Sequence, residues 1–493
     1  MPIPNAETIA RKAEIVRSLR KLVAPSGVIA EPDGLVTYES DGLSAYRQTP
    51  LAVVLPETTE QVSQVLAWCL ANAVKVVPRG AGTSLSGGAL PLTDGIVLGL
   101  AKFNRILEVD FENRCAVVQP GVTNLAITAA VQADGYYYAP DPSSQIACTI
   151  GGNVAENSGG VHCLKYGLTT NNLLGCEIVT MAGEVIRLGG RGYDAAGYDL
   201  LGLVTGSEGL LCVVTEVTVR LLPTPQAARA LLLGFPSVEA AGATVGDIIA
   251  AGIIPAGLEM MDQPAIQAAE AFVGAGYPVE AQALLIVELD GPEAECAELA
   301  GHVRAIAKAR GADFIRVSRD EAERLTFWAG RKAAFPAVGR ISPDYYCMDG
   351  TIPRRQLPHV LTRINEMARA YGLGVANVFH AGDGNLHPLI LYDVENEGEL
   401  ERAEAFGADI LKLCVAVGGV LTGEHGVGVE KRDLMGEMFD ETDLACQQRV
   451  KCAFDPELLL NPGKVFPTLH RCAELGRVHV HRGKIAFPEL PRF

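Results

Sequence analysis

Arg79-Gly-Ala-Gly-Thr-Ser-Leu-Ser-Gly-Gly-Ala-Leu-Pro91 follows Val74 to Val77, a short apolar run that reads as a buried strand ending at Pro78. Four glycines and three hydroxyls directly after a strand let backbone N–H groups converge on an anion such as a phosphate. An ordinary flexible loop has the same composition, so this stretch decides nothing alone. A companion comes further on, as Ala139-Pro-Asp-Pro-Ser-Ser144, Cys148-Thr-Ile-Gly-Gly-Asn153 and Glu156-Asn-Ser-Gly-Gly160. There Gly, Ser and Asn displace hydrophobic periodicity, so core burial cannot order the chain and a ligand is the better organiser.

An α/β rhythm surrounds the two loops. An amphipathic helix is expected over 7–23, then a strand Leu51 to Leu55 and a helix through Cys69 capped by Thr58. Strands are expected at Ile96 to Leu100, Ile106 to Asp110 and Cys115 to Gln119, with a helix from Asn124 to Ala133. Cys176 to Met181 and Val185 to Leu188 read as a hairpin across Ala182-Gly183, and Ser207-Glu-Gly209 precedes a strand Leu211 to Leu222. Pro223-Thr-Pro225 marks a boundary. Beyond it, residues 228–300 alternate strand and helix in the manner of an α+β domain with an antiparallel sheet. The division is therefore a helical segment 1–50, a ligand-binding domain 51–225, a second domain 226–466 and a tail 467–493.

The second domain carries Val378-Phe-His-Ala-Gly-Asp-Gly-Asn-Leu-His-Pro388. Asp383-Gly384 is a two-residue hairpin signal, which pairs His380 directly with His387, Cβ atoms roughly 5 Å apart. That arrangement suits one metal ion; a structural histidine pair on a solvent-facing hairpin is the blander alternative, which the hairpin alone does not displace. Further on, Gly423-Glu-His-Gly-Val-Gly428 offers a carboxylate and a third imidazole. His380, His387 and Glu424 are the candidate ligands of a divalent metal, with His425 as a base beside them. Pro388 cannot donate to a ladder, so its strand is expected at an edge or bulged.

The totals exclude several classes. The 493 residues suffice for two or three domains. A net charge of −17 argues against a nucleic-acid surface. Twelve scattered cysteines without a C-x-x-C fit reduced thiols and exclude an obvious iron–sulfur cluster. Residues 1–20 hold no apolar leader core, and no run is long enough to span a membrane. The mean hydropathy of +0.20 is high, as for a chain with apolar surface covered by partners. No Rossmann glycine motif, Walker loop or G-x-S-x-G elbow is present.

Taken together, Arg79-Gly-Ala-Gly-Thr-Ser, Pro140-Asp-Pro-Ser, Thr149-Ile-Gly-Gly-Asn and Asn157-Ser-Gly-Gly160 resemble the FAD-binding domain of the vanillyl-alcohol-oxidase-type flavoproteins. His380-Ala-Gly-Asp-Gly-Asn-Leu-His387, Gly423-Glu-His-Gly426 and Asn461-Pro-Gly-Lys464 resemble the C-terminal domain of the D-2-hydroxyacid dehydrogenase branch. Phe327-Trp-Ala-Gly-Arg-Lys, Ser342-Pro-Asp-Tyr-Tyr-Cys-Met-Asp-Gly and the ending His479-Val-His481 with Phe487 to Phe493 resemble the FAD subunits of bacterial glycolate oxidases (glycolate dehydrogenases).

The resemblance implies an α+β fold: a two-lobed PCMH/vanillyl-alcohol-oxidase-type FAD-binding domain, then an FAD-linked oxidase C-terminal domain with an antiparallel sheet. It implies FAD contacts from Arg79, Gly80, Ala81, Gly82, Thr83 and Ser84, and from Pro140, Ser143, Thr149, Gly151, Gly152, Asn157 and Gly159. Glu208, Gly209 and Val214 would complete the adenine end, and Asn461 either meets the flavin or merely stops the last helix. His162 is the one histidine in these loops, so the FAD is expected to be non-covalent. Arg331 falls where relatives hold a substrate carboxylate, although a helix C-terminus favours a cation there in any case. Phe335 and Cys347 stand where those relatives have Thr and Lys, which points to a small acid lacking a second carboxylate.

The implied reaction is FAD-dependent oxidation of a small 2-hydroxy acid, glycolate to glyoxylate, with a divalent metal (zinc, or else manganese or iron). D-lactate oxidation and a non-catalytic FAD electron-transfer subunit are the alternatives within the family; a flavin-free metal hydrolase is the alternative outside it. The resemblance also implies a second FAD-binding subunit and an iron–sulfur subunit as partners, electrons passing on to quinone. The location would be cytoplasmic, with membrane contact only through those partners.

Overall fold

The computed structural model describes residues 1–192 and 197–467, together with the short strand pair Val480–His481 and Lys484–Ile485. The remaining motif residues of the tail, His479 and Phe487 to Phe493, lie outside the described residues. At the N-terminus the expected single helix is two, Ala6–Ala10 and Lys12–Leu19. Arg11 separates them, its N–H shared between the carbonyls of Glu7 and Thr8, a tight-turn pattern that closes a helix. Ile15, Val16 and Leu19 nevertheless share one core with Val62, Val65 and Leu66 of the helix Thr59–Ala71. Thr58 caps that helix by accepting from Gln61 N–H.

The first lobe is a four-stranded sheet in the order Val28–Ile29, Ala52–Val54, Gly95–Gly99, Lys75–Arg79, the last three parallel. Pro78 is tolerated because its strand ends the sheet. The chain returns to that strand late: Val76 N–H donates to the Leu459 carbonyl and Asn461 N–H to the Val76 carbonyl. The second lobe is a five-stranded antiparallel sheet of Ile106–Asp110, Cys115–Val118, Val213–Arg220, Leu173–Val179 and Val185–Gly189. Between the lobes runs the stretch expected to be ligand-ordered loop, and it contains a helix, Ile150–Glu156. Thr149 caps it at Gly152 N–H, and Asn157 ends it with φ of +52°.

The C-terminal part is an eight-stranded sheet whose neighbours all pair antiparallel. Its order is Phe314–Val317, Ala227–Phe235, Ala283–Gly291, Gly257–Asp262, Gly374–His380, Asn385–Tyr392 and Asp344–Cys347, with Gly350–Thr351 also on the Asn385–Tyr392 strand. Helices Val238–Ala250, Glu293–Ala309, Leu357–Tyr371 and Glu399–Ala416 cover one face. Gln263–Val273, Glu321–Lys332 and Ala334–Val338 cover the other. Covered twice, the inner strands are buried at successive positions, which is why they read as continuous apolar runs. Strand alternation sorts the two faces. Val375 and Phe379 join the first core, and Ala376 and Val378 the second, so His380 falls on the second face.

Among the described residues, no helix is long and apolar enough to cross a membrane. Among the described residues ten cysteines are free, and Cys452 is disulfide-bonded, an exception to the all-thiol reading.

Candidate active site

The histidine hairpin forms with a register different from the one its sequence suggests. His380 pairs with Asn385, Phe379 with Leu386 and Val378 with His387, leaving a four-residue loop, 381–384. The two-residue turn is pulled open from outside. Gly382 N–H donates to the Leu258 carbonyl of the next strand, the Gly382 carbonyl accepts from Arg354, and Asp383 accepts Asn385 N–H. The slip is two residues, and an even slip keeps side chains on their face. His380 and His387 therefore still meet, now diagonally, with ring centroids 5.0 Å apart and planes at 88°. The strand bearing Pro388 is interior rather than an edge. The Pro388 carbonyl accepts from Met348 N–H, so its missing donor falls in the break between Asp344–Cys347 and Gly350–Thr351.

Glu424 completes the cluster. Its Oε1 lies 3.0 Å from His387 Nε2 and 3.4 Å from His380 Nε2, and one donor atom from each of the three residues fits within 4.8 Å of the others. His425 stacks on His387, centroids 5.0 Å apart and planes at 18°. Two buried carboxylates that sequence reading passed over hold these groups. Asp349 accepts from three successive amides, Gly423, Glu424 and His425, and from the Thr422 hydroxyl, and pairs with buried Lys431 at 3.2 Å. Glu259 accepts from His380 Nδ1 at 2.8 Å and from Arg331 Nε at 2.8 Å. The signal for Glu259 was present as a lone acid in the apolar run Gly257-Leu-Glu-Met-Met. Nothing local marked Asp349.

The charges hold one another. Burial alone would raise the Glu424 carboxyl, but hydrogen bonds from His380 and His387 pull it well below the ordinary range. Burial would lower His380, yet Glu259 beside it, with help from Glu424, raises it well above the ordinary value. Burial likewise favours a neutral Asp349, and Lys431 outweighs that. Burial wins at His425, which is held down to about 4.

Arg331, expected to meet a substrate carboxylate, is engaged with a carboxylate of the chain itself. It is 1% exposed, its Nη2 lies 2.6 Å from Glu259, and it does not line the cavity described next. A buried guanidinium needs a buried carboxylate, and Glu259 is that partner. Lys332 and Phe335, further along the chain, border the cavity instead.

That cavity, about 390 Å³, is lined by both glycine-rich loops and by His387, Glu424 and His425. Every residue assigned above to FAD borders it except Ala81, Pro140, Asn157, Gly159 and Asn461. Four of these five have other tasks. The Pro140 carbonyl accepts from Asn124, and Asn157 accepts Thr170 N–H. Asn461 donates to the carbonyls of Gly88 and Glu208, bracing the wall from behind. Gly159 packs against Glu424, where a Cβ would come within 2.9 Å of Oε2. Glu208 borders the cavity, yet its carboxylate accepts Val427 and Gly428 N–H at 2.7 Å, so it clamps the 423–428 turn.

The cavity fits an extended anionic cofactor. A Cβ on Gly152 would meet only Thr149 Oγ1, at 3.5 Å, so the backbone there is open to close approach. Gly80 is fixed by contact, since its Cβ would lie 2.3 Å from Thr149 Oγ1. His162 is engaged on both ring nitrogens, by Asp141 at 2.8 Å and Glu288 at 3.2 Å, and does not border the cavity.

Two glycine-loop lobes beside an antiparallel sheet, with a shared cavity between loops and histidines, define a flavoprotein oxidoreductase. Family models agree: "FAD binding domain" matches residues 50–189, and "FAD linked oxidases, C-terminal domain" matches residues 224–465. The chain is 58% identical over 482 residues to the glycolate oxidase subunit GlcD of Escherichia coli (strain K12), covering 98% of this chain and 97% of that one. The GlcD subunit of Bacillus subtilis (strain 168) is 40% identical over 92% of this chain and 97% of its own. Among solved structures, p-cresol methylhydroxylase with substrate bound superposes with a TM-score of 0.78 at 18% identity, covering 94% of this chain and 97% of that one. This likeness shows the fold, that of the PCMH/vanillyl-alcohol-oxidase type. The chain belongs to the FAD-linked oxidases, and FAD is its cofactor.

Proposed function

We propose that this chain oxidises glycolate to glyoxylate as the FAD-carrying, catalytic subunit of a larger enzyme. One observation carries the reading. His387, Glu424 and His425 face the same cavity as the FAD loops, so a small hydroxy acid held by them lies against the cofactor site. The relatives named as glycolate oxidase subunits support glycolate in particular. Residues 51–225 would form the FAD domain and 226–466 the substrate domain.

FAD, held without a covalent bond since His162 is engaged elsewhere, supplies the two-electron acceptor. His380, His387 and Glu424 would hold a divalent ion. Two imidazoles and a carboxylate suit zinc with positions left open, manganese or iron being alternatives, and such an ion lowers the pKa of a bound hydroxyl. His425 is neutral at physiological pH and takes the hydroxyl proton as base. Glu259 fixes the His380 ring through Nδ1, as a carboxylate behind a metal-binding histidine does. Arg331 neutralises Glu259 and so positions His380. Phe335, bordering the cavity edge-on to His387 with centroids 6.1 Å apart, limits substrate length. Electrons would leave through a second FAD-binding subunit and an iron–sulfur subunit towards quinone, bringing this chain to the cytoplasmic side of the inner membrane only through those partners.

The test is purified protein with an artificial acceptor and a panel of glycolate, D-lactate, L-lactate and D-2-hydroxyglutarate. Glycolate is expected to reduce the acceptor fastest. A preference for D-lactate replaces the substrate, and a strong preference for L-lactate sinks the reading.

A further inference from the structure

His387 belongs to two clusters. Besides the set with His380 and Glu424, it joins Cys347 and His425, which with it bring one sulfur and two ring nitrogens within 4.8 Å of one another. The sheet sets this up. Cys347 pairs with Leu389, two residues beyond His387, so both side chains rise from the same face. His425 lies over His387 from the 423–428 turn. His387 Nδ1, moreover, is buried with no hydrogen-bond partner, although its Nε2 faces Glu424. A buried ring nitrogen without a partner is uncommon and marks a place where a ligand can enter.

We propose that Cys347, His387 and His425 form a second, inhibitory site for thiophilic divalent cations such as cadmium or excess zinc. A thiolate with two imidazoles is a soft donor set, unlike the carboxylate-containing set beside it. On binding, the Cys347 S–H bond and the His387 Nδ1–H bond break, both protons pass to solvent, and sulfur–metal and nitrogen–metal bonds form. The metal also takes the nitrogen lone pair of His425, so His425 can no longer accept a proton. The inhibitory consequence rests on the base role proposed for His425; the binding does not.

The flavin-loaded enzyme with its activating metal is titrated with cadmium chloride, without substrate for ultraviolet absorbance and with substrate for turnover. A thiolate-to-cadmium charge-transfer band and loss of turnover are expected over the same concentration range. In Cys347→Ser the band should vanish and the inhibitory concentration rise about tenfold or more, each variant read against its own cadmium-free rate. Cys446→Ser, which removes the exposed thiol, should change neither. A band that survives Cys347→Ser, or equal inhibition of that variant, overturns the site. Should Cys347→Ser fold poorly, Cys347→Ala is read by the same band. An enzyme that shows the band yet oxidises no hydroxy acid keeps the site and refutes the function proposed above.

Discussion

The glycine-loop part of the cavity and its histidine part are built from different materials. Around Gly80 to Ser84 and Thr149 to Gly152 the surface is backbone, hydroxyls and small side chains. Around His387, Glu424 and His425 it is titratable side chains, on a strand and a turn braced by buried carboxylates far away in the chain: Glu259 lies 121 residues from His380, which sits behind them, and Asp349 76 from His425, whose amide it accepts. A backbone site depends on whether the chain can approach closely. A side-chain site depends on the groups behind it, because unsupported ligands lose orientation.

The comparison can be broken most sharply at His425. His425→Ala should lower kcat by 10² to 10⁴-fold, roughly the worth of a general base, without loss of bound flavin. A fall of under about tenfold defeats the base assignment. Burial holds His425 down to about 4, so the base is available above that value and is lost as pH falls through it. The acid limb of the pH–rate profile should break there and not near the ordinary ~6.5.

A smaller effect tests the supporting groups. Glu259→Gln leaves every proposed metal ligand in place, yet should weaken metal affinity about 10- to 100-fold, read as metal retained per protein after dialysis. Retention equal to the parent would mean that the histidine part does not depend on its hidden partners.

The smallest contrast lies within the glycine loops. Gly80→Ala drives a methyl into Thr149 and should cost about 1–3 kcal/mol through overpacking, seen as lower flavin content. Ser84→Ala removes a hydroxyl and leaves the backbone path intact, so flavin content should change less. The reverse order would show that hydroxyls, not backbone, hold the cofactor.

The same difference decides what could be read in advance. The glycine loops are contiguous, so their composition marked them as candidates and the two stretches together carried the resemblance. The candidate histidine ligands were legible as motifs, and alternation placed them on one face even though the turn was wrong by two residues. Asp349 and the pairing of Arg331 with Glu259 were not legible, because their meaning arises only when distant elements meet; Glu259 showed only as a lone acid in an apolar run. Glu208 was legible only in part for a related reason: Ser-Glu-Gly beside a cofactor loop suggests a place at the cavity, which Glu208 borders, while nothing local announces that its carboxylate reaches a turn more than two hundred residues downstream.

Glu208 has a consequence for how such chains can be recombined. The turn carrying Glu424 and His425 is fastened from the other half of the molecule, by Glu208 at Val427 and Gly428 and by Ser86, whose hydroxyl donates to the His425 carbonyl. A chimera joined at Pro223 would inherit the histidines from one parent and their fastening from the other. Its competence would then rest on whether the first parent carries an acid and a hydroxyl at those two places, a compatibility rule invisible to any comparison of the C-terminal halves alone.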